Sequence, residues 1–379
     1  MANLASDVQA SIVIPTKNAG AEFRQTLEAI RQQTRKSEVF IVDSGSTDGT
    51  VEVARDFGAH ITTIPPEAFN HGDTRNLGIQ QTCSPFCIML VQDALPIGET
   101  WLEALLSPFS DDRIVGVTGQ QVPRVDSSLI ARWQVEYRIQ FLGDQPRVQK
   151  LDDWDHFLTL GFQERLRLAS FDNVCSAIRR SFWEEYPFRR MNFAEDLDWG
   201  IRAIRQGWWL VYNPAARVIH SHNRSAAYHL KRSYVSGRVV PAILHLGAPD
   251  VGVHCDAEML RLLAHLCGEA RTMLADRVTD WRGFARYALL GIRDLLRMPL
   301  RLLRPEPARS EIMRRNFYFI LDQVLGPGEA STASLQSVVP PALAEAAGAF
   351  IADYYNWCEL RGSVSEGLRR LDQTLSVGV

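Results

Sequence analysis

The sequence lacks a secretory leader, a paired-cysteine framework and an excess of basic residues. Residues 1–10 carry polar and acidic side chains ahead of the first predicted strand, unlike a signal peptide. The six cysteines show no zinc-type spacing, so we interpret them as reduced, buried thiols. The formal net charge is -3, whereas bulk binding of nucleic acid needs a strongly basic face. These absences predict a cytoplasmic protein that does not bind nucleic acid.

Two motifs for nucleotide binding are also missing. No Gly-x-Gly-x-x-Gly follows the first predicted strand, and no Gly-x-x-x-x-Gly-Lys loop occurs in the chain. The glycines of the first motif let a helix N-terminus approach a dinucleotide, and the lysine of the second binds terminal phosphates. Their absence disfavours dinucleotide and P-loop chemistry.

Composition and element order predict an α/β fold. The chain has 379 residues, 46% of them hydrophobic and 22% charged, which is typical of a well-cored protein with two domains. The predicted strands are Ser11–Pro15, Glu38–Asp43, His60–Ile64, Phe86–Val91 and Ile114–Thr118. The predicted helices between them are Glu22–Gln33, Asp48–Phe57, Asp73–Gln81 and Trp101–Leu106. This alternation predicts a doubly wound, mostly parallel sheet with helices on both faces.

Polar side chains follow three of these strands where the strands end. Pro15–Asn18 follow the first strand, Asp43–Thr50 the second and Gln92–Ala94 the fourth. Ligands of such sheets bind at the carboxyl ends of the strands. We therefore expect a ligand site at this edge of the sheet.

Two acidic residues, Glu195 and Asp196, open a further predicted helix. Apolar residues recur at helical spacing from Leu197 to Ile204, which predicts a helix over Glu195–Gln206. Unpaired amides and the dipole of the first turn favour an ionised carboxylate, which suits a general base. The alternative is that both residues only cap the helix.

Two histidines lie farther along the chain. His220 and His222 end a sheet-like run that begins at Arg217. Residues two apart on an extended segment point to one face, so either imidazole can join Asp93 in a metal shell. A hydrogen-bonded structural role is the alternative for each histidine.

Taken together, these motifs resemble glycosyltransferase family 2, the inverting nucleotide-sugar transferases of the GT-A fold. The resemblance rests on the order of four segments: Ser11–Asn18, Asp43–Thr50, Gln92–Ala94 and Ala194–Asp196. A bacterial rhamnosyltransferase-like branch is indicated by Phe69–Asn76 together with Gln92–Ala94 and His220–His222. The resemblance covers about the first 225 residues, and it implies a GT-A domain over 1–223. Beyond that domain the composition, and no family motif, predicts a helical C-terminal domain over 224–379.

The resemblance implies a donor site for a nucleotide sugar. Its predicted residues are Pro15, Thr16, Asn18, Asp43, Arg75, Gln92 and Asp93. Asp43 would accept the ring N–H of the base, and the alternative is a turn residue after a strand. Arg75 would pair with the diphosphate, and the alternative is a solvated surface arginine.

The resemblance also implies a divalent metal, Mg²⁺ or Mn²⁺. Asp93 matches the last aspartate of the Asp-x-Asp motif of the family, but Val91 stands where the first would be. One carboxylate holds an ion weakly, so oxygens of the diphosphate and one or both of His220 and His222 would complete the shell.

The implied reaction is a single displacement. Asp196 matches the catalytic base, and Glu195 would orient the acceptor or the helix end. Asn173 and Trp199 are placed on the acceptor side. Trp199 and the pair Trp208–Trp209 would form an aromatic platform for a sugar, and the alternative for at least one of them is burial in the core. The stretch Trp133–Phe171 is predicted as a mobile insertion on that side.

The predicted function is transfer of a sugar, with L-rhamnose from dTDP-rhamnose favoured, to a hydroxyl of a bacterial surface glycan or lipid-linked oligosaccharide. The alternatives are a UDP-hexose donor, or a catalytically silent nucleotide-sugar-binding or scaffold protein. Arginines recur at helical spacing from Arg286 to Arg304 beside leucines. Such a helix either lies on anionic lipid at the inner face of the cytoplasmic membrane or is the wet face of a helical bundle.

Overall fold

The computed structural model describes residues 10–224 and 226–246. The strands are β1 (Ala10–Thr16), β2 (Ser37–Asp43), β3 (His60–Thr63), β4 (Phe86–Leu90), β5 (Leu95–Pro96), β6 (Ile114–Val122), β7 (Arg147–Gln149), β8 (Cys175–Arg179) and β9 (Trp209–Ile219). The helices are α1 (Phe23–Arg31), α2 (Thr50–Phe57), α3 (His71–Gln80), α4 (Trp101–Leu106), α5 (Leu129–Leu142), α6 (Trp154–Thr159), α7 (Phe162–Ala169), α8 (Arg180–Glu185), α9 (Glu195–Arg205) and α10 (Ala226–Ile243).

The strands form one nine-stranded sheet. Its order is β3-β2-β1-β4-β8-β6-β9-β5, and β7 also pairs with β9. The run from β3 to β4 is parallel, as is the pair of β6 with β9, whereas β8 lies antiparallel between β4 and β6. The predicted α/β class with a mostly parallel sheet is thereby confirmed. The element bounds differ from the predicted ones by a few residues at most for β1 to β4 and α1 to α4.

Helices cover both faces of this sheet because each central strand is apolar on both sides. Ile12 and Ile14 of β1 belong to one core, with Phe23 and Trp101, and Val13 belongs to the other, with Trp199. Successive side chains of a strand point to opposite faces, so one strand supplies both cores. Two apolar layers therefore hold the strand ends in fixed positions.

The stretch Trp133–Phe171 is regular structure, so the prediction of a mobile insertion is wrong. It carries most of α5, then β7, α6 and α7. β7 pairs with β9 of the main sheet, and Phe157 of α6 is fully buried. Asp153 supplies the N-cap of α6 by accepting from the amides of Asp155 and His156. Apolar burial and capping were both present in the sequence, but charged residues among the aromatics concealed them.

The described residues fall into two compact units. Residues 10–125, 135–221 and 239–246 form the first, and 126–134 and 222–238 belong to the second, where Asn223 accepts from the amide of Ser128 and donates to the carbonyl of Asp126. No helix within the described ranges is both long enough and apolar enough to cross a membrane. The predicted helical domain over 224–379 lies largely outside the described residues, as does Arg286–Arg304 entirely.

Candidate active site

The ends of β1 and β2 form a hydrogen-bonded corner. Thr16 and Asp43 are register partners, and the hydroxyl of Thr16 donates to Oδ2 of Asp43 over 2.9 Å. The other donors to this carboxylate are the amides of Gly45 and Ser46 and the hydroxyl of Ser46. Burial opposes ionisation, but these hydrogen bonds outweigh it and hold the pKa of Asp43 below its usual value. The carboxylate is therefore an ionised anchor of the loop.

This corner corrects the predicted contact between Asp43 and the donor base. The side chain of Asp43 is 1% exposed and that of Thr16 is 2% exposed. Both oxygens of Asp43 are already engaged by donors of the chain, which matches the alternative of a turn residue. Asn18, in contrast, is exposed and left-handed with φ 46°, and its Oδ1 accepts from the amide of Thr47.

The loops after β1 and β4 are joined by a side-chain amide. Gln92 accepts from the amide of Lys17 over 2.8 Å and donates to the carbonyl of the same residue over 3.2 Å. Pro15, just before this contact, is half-buried. Gln92 thus sets the spacing between two of the predicted donor-site loops.

Helix α3 packs unusually close to the sheet. A Cβ on Gly78 would lie 2.3 Å from Cγ1 of Val13, so only glycine allows this approach. At the other end, Asn70 caps the helix by accepting from the amides of Gly72 and Asp73. This packing buries Arg75, which lies between the cap and Gly78 on the same helix.

Arg75 forms a buried ion pair with Glu195. Its Nη1 donates to Oε1 of Glu195 over 2.7 Å, and the two side chains are 5% and 6% exposed. Nδ2 of Asn173 donates to the same Oε1 over 3.3 Å, and Asn173 is also buried. The prediction that Arg75 contacts the diphosphate is therefore corrected. Glu195 takes the second of its two predicted roles, at the helix end, and the acceptor-side position of Asn173 stays a prediction. In this structure all three side chains hold one another and the start of α9.

Asp196 is the half-buried carboxylate beside that ion pair. Its Oδ2 accepts from the amide of Asn173 over 3.2 Å, and its Oδ1 from the amide of Leu197 over 2.8 Å. Burial, then the negative charges of Glu195 and Asp172, raise the pKa of Asp196 to about 7. The expectation that the helix start favours the ionised form is wrong here, because burial and the two neighbouring negative charges favour the protonated form. A carboxylate with a pKa near neutrality is nevertheless well matched to general-base catalysis.

Trp199 does not contribute to a sugar platform. The side chain is fully buried, and its indole N–H donates to the carbonyl of Tyr186 over 2.8 Å. Phe171, Phe182 and Phe188 surround the ring. Trp199 therefore follows the alternative of burial in the core, since a core position at the inner face of α9 leaves no surface for a ligand.

Asp93 and the two histidines form a candidate metal-binding cluster. Asp93, His220 and His222 can each offer one ligand atom within 4.8 Å of the others. Nε2 of His220 lies 3.7 Å from Oδ1 of Asp93. Leu95 pairs with Ile219, which brings the residues before β5 next to those after β9. The structure thus brings together the three residues that the sequence predicted as metal ligands.

Comparison with known proteins decides the family. The model of glycosyl transferase family 2 matches residues 11–186. The O-antigen chain rhamnosyltransferase WbaN of Salmonella anatum is 31% identical over 233 residues, covering 60% of this chain and 70% of the relative. The O-antigen chain rhamnosyltransferase RfbN of Salmonella typhimurium is 33% identical over 233 residues, covering 60% and 71%. The chain belongs to glycosyltransferase family 2.

A more distant relative of this glycosyltransferase carries a more specific name. The N-acetylglucosaminyl-diphospho-decaprenol L-rhamnosyltransferase of Mycobacterium tuberculosis is 25% identical over 267 residues, covering 62% of this chain and 85% of the relative. The predicted membership of family 2 and the prediction of a glycosyltransferase enzyme are confirmed.

The sequence did not indicate a site role for three polar residues of the glycosyltransferase. They are Gln121, Asp172 and Arg138, and they form a chain of contacts that begins at His220. Gln121 on β6 contacts Nδ1 of His220 through its Oε1 at 2.9 Å, and its Nε2 donates to Oδ2 of Asp172 over 2.7 Å. Arg138 of α5 pairs with the same carboxylate over 2.9 Å. A pair of glutamines at the end of a predicted strand was the available signal, but the strand partner was unknown.

Proposed function

We propose that this glycosyltransferase moves L-rhamnose from dTDP-rhamnose to a hydroxyl of a bacterial surface glycan, with inversion at the anomeric carbon. The identity of 31% and 33% to two O-antigen chain rhamnosyltransferases, over 70% and 71% of their lengths, is the observation that carries the proposal. The half-buried Asp196 beside a buried ion pair supports an active enzyme over a silent scaffold, because carboxylates with strongly raised pKa values cluster at functional sites.

Asp196 serves as the general base of a single displacement. The acceptor oxygen forms a bond to the anomeric carbon while the bond from that carbon to the diphosphate oxygen breaks. The hydroxyl proton passes to a carboxylate oxygen of Asp196, and the nucleoside diphosphate leaves with the electron pair. Glu195 and Asn173 act through Asp196, since both are buried and the amide of Asn173 binds its Oδ2.

Asp93, His220 and His222 fit a divalent cation of the Mn²⁺ type. One carboxylate and two imidazoles make a mixed oxygen and nitrogen set, whereas Mg²⁺ demands oxygen ligands and keeps its waters. A bound cation would supply charge that offsets the negative charge developing on the departing diphosphate. Asp93 is 28% exposed, so it remains reachable from solvent.

The proposed domain organisation is a catalytic domain over 1–223 with a helical domain over 224–379.

The proposed acceptor is a glycan or lipid-linked glycan. The relative of M. tuberculosis whose name contains a decaprenol-linked acceptor supports the lipid-linked form. Arg286–Arg304 would then contact anionic lipid, with each arginine near the surface contributing about 1 kcal/mol. Vesicle co-sedimentation of the parent and of an Arg293→Glu, Arg297→Glu, Arg301→Glu variant tests this contact.

A donor panel tests the proposed reaction. Purified protein is incubated with dTDP-rhamnose, UDP-glucose, UDP-galactose or GDP-mannose, each with and without Mn²⁺, and release of the nucleoside diphosphate is measured alongside thermal stabilisation. We expect dTDP-rhamnose to give the largest stabilisation and the fastest release. Preference for a UDP-hexose would overturn the donor, and release from no donor at all would favour a silent binding protein.

A further inference from the structure

The pairing of β6 with β9 puts Gln121 and His220 on one face of the sheet. Gln121 is the register partner of Val218, and the amide of His220 donates to the carbonyl of Val122 over 2.9 Å, which continues the pairing. Side chains two residues apart on a strand share a face, so His220 projects to the side of Val218 and hence of Gln121. The contact between the two side chains thus follows from the strand register.

The orientation of the Gln121 amide is set by its partner at the other end. A carboxylate only accepts, and Oδ2 of Asp172 also pairs with Arg138 over 2.9 Å. If the amide were turned over, its oxygen would lie 2.7 Å from Oδ2 of Asp172, which places two acceptors in contact. The amide nitrogen therefore faces Asp172, and the amide oxygen faces His220.

This orientation has a consequence for the imidazole of His220. An amide oxygen only accepts, so Nδ1 of His220, 2.9 Å away, must carry the proton. In the neutral ring the lone pair then resides on Nε2, the nitrogen that lies 3.7 Å from Oδ1 of Asp93. The hydrogen bonds run in one direction, from His220 to Gln121 and from Gln121 to Asp172.

We infer that Gln121 and Asp172 form a relay that fixes His220 in the Nδ1–H tautomer and thereby presents Nε2 as a cation ligand. Gln121 and Asp172 are positioning residues, because both act through His220. The inference rests on the metal site of the proposed function, but the tautomer is a property of the metal-free protein. Outer partners of this kind orient a ligating histidine, and their loss costs about 10- to 100-fold in metal affinity.

The tautomer is tested first, by NMR of protein labelled with ¹⁵N-histidine and free of metal. At about pH 8, where an ordinary imidazole is neutral, the signals that disappear in His220→Asn are assigned to His220. We expect Nδ1 to be protonated in the parent and the preference to be lost in Gln121→Leu. A parent protonated at Nε2 would overturn the relay, whatever the donor specificity proves to be.

Cation affinity is tested second, by titrating Mn²⁺ alone and measuring the free ion by EPR. Gln121→Leu should weaken binding by about 10- to 100-fold. Gln120→Leu is the matched control, because Gln120 is the neighbouring strand residue and its Oε1 accepts from the hydroxyl of Tyr212 over 3.2 Å, away from His220, so the affinity of this variant should stay at the parent value. Equal affinity of Gln121→Leu and the parent would overturn the link between tautomer and cation.

A combined exchange separates the relay from mere packing. The carboxylate of Gln121→Glu can accept from Nδ1–H of His220 and from the amide nitrogen of Asp172→Asn, so this pair of changes preserves the tautomer with the second hydrogen bond reversed. Arg138 pairs with the same Oδ2 that Gln121 contacts, so Arg138→Met is included to leave no second donor facing that nitrogen. We expect this variant to bind Mn²⁺ within a few-fold of the parent, well above Gln121→Leu. If this variant kept the Nδ1–H signal but bound Mn²⁺ as weakly as Gln121→Leu, the relay would not be the source of the affinity. A parent that binds no Mn²⁺ while showing the Nδ1–H tautomer would overturn the metal site alone.

Discussion

Arg75 and Glu195 face each other across 2.7 Å in the interior, 120 residues apart in sequence. The pair joins α3 to the start of α9, at the residue that precedes Asp196. Burial raises the pKa of Asp196 and the negative charge of Glu195 adds to that effect, while the positive charge of Arg75 acts in the opposite direction. The ion pair thus sets both the position and the basicity of the neighbouring carboxylate.

Removing Arg75 should destabilise the protein strongly. Arg75→Met leaves the carboxylate of Glu195 buried without its partner, which costs about 3–5 kcal/mol in the free energy of unfolding. Replacing both residues, as Arg75→Met with Glu195→Leu, should recover most of that loss, because no unpaired charge remains. Urea unfolding followed by tryptophan fluorescence measures both effects.

The matched control for that experiment is a surface ion pair. Arg190 pairs with Asp73, and these side chains are 68% and 40% exposed. Arg190→Met should change the free energy of unfolding by no more than about 1 kcal/mol. If Arg75→Met were as mild as Arg190→Met, the ion pair would not be buried as described.

Asp196→Asn should abolish transfer while donor binding stays nearly unchanged. The amide keeps the shape of the carboxylate but accepts no proton, and loss of a general base costs about 10²- to 10⁴-fold in turnover. Turnover is measured by nucleoside diphosphate release, and donor binding by calorimetry. Near-normal turnover would remove Asp196 from the role of base.

The turnover of the parent should depend on pH through the same carboxylate. Its pKa is raised to about 7, so the base is protonated and inactive in mildly acidic solution. We expect the rate to level off above about pH 7 and to fall about tenfold per pH unit below that value. A rate that stays constant between about pH 5 and about pH 8 would contradict the assignment of Asp196 as the base.

The contribution of Asp196 to the free energy of unfolding should fall as the pH rises, whereas the rate of transfer rises. Between the ordinary pKa of 3.8 and the raised value of about 7, the folded protein retains a proton that the unfolded chain has released. The cost of this buried carboxylate is therefore absent below pH 3.8, grows up to about pH 7 and is fully present above it. Asp196→Asn should melt a few degrees above the parent in alkaline solution, and the two melting temperatures should converge as the pH approaches 3.8. Asp152→Asn, at an exposed side chain, should show no such dependence.

Periodicity located most elements because each strand and helix near the site carries its own apolar pattern. The helix that begins at Glu195 is an example, since the predicted and observed starts coincide. The same periodicity does not show whether a polar side chain at a strand end is buried. Asp43 was expected to contact a ligand. Its carboxylate instead accepts hydrogen bonds from the amide of Ser46 in the following turn and from the hydroxyl of Thr16 on the neighbouring strand. A local pattern gives the position of a polar residue, whereas its partners depend on the packed fold.

Contacts across distant strands were the least accessible to sequence reasoning. Gln121 and His220 are 99 residues apart, and their contact depends on the pairing of β6 with β9, which alternating elements alone do not specify. For Trp199 the sequence suggested a ligand contact that the fold does not allow. An aromatic residue on a catalytic helix is compatible with a sugar platform, but α9 is buried around much of its circumference. The proximity of the three predicted metal ligands was accessible because two of them are close in sequence and the third ends a strand motif.

Asp93 should be required for cation binding and for donor binding in the presence of the cation. It is the carboxylate of the cluster with His220 and His222, and Val91 leaves the Asp-x-Asp motif with no other acid. Loss of a ligand costs at least as much as loss of an outer partner, so Asp93→Ala should weaken Mn²⁺ binding by about 10- to 100-fold or more. Excess chelator should suppress transfer in the parent, and Mn²⁺ should restore it, whereas Asp152→Ala at an exposed position should behave as the parent does. Full activity in excess chelator would contradict the metal site and leave the charge of the departing diphosphate to be offset by the protein alone.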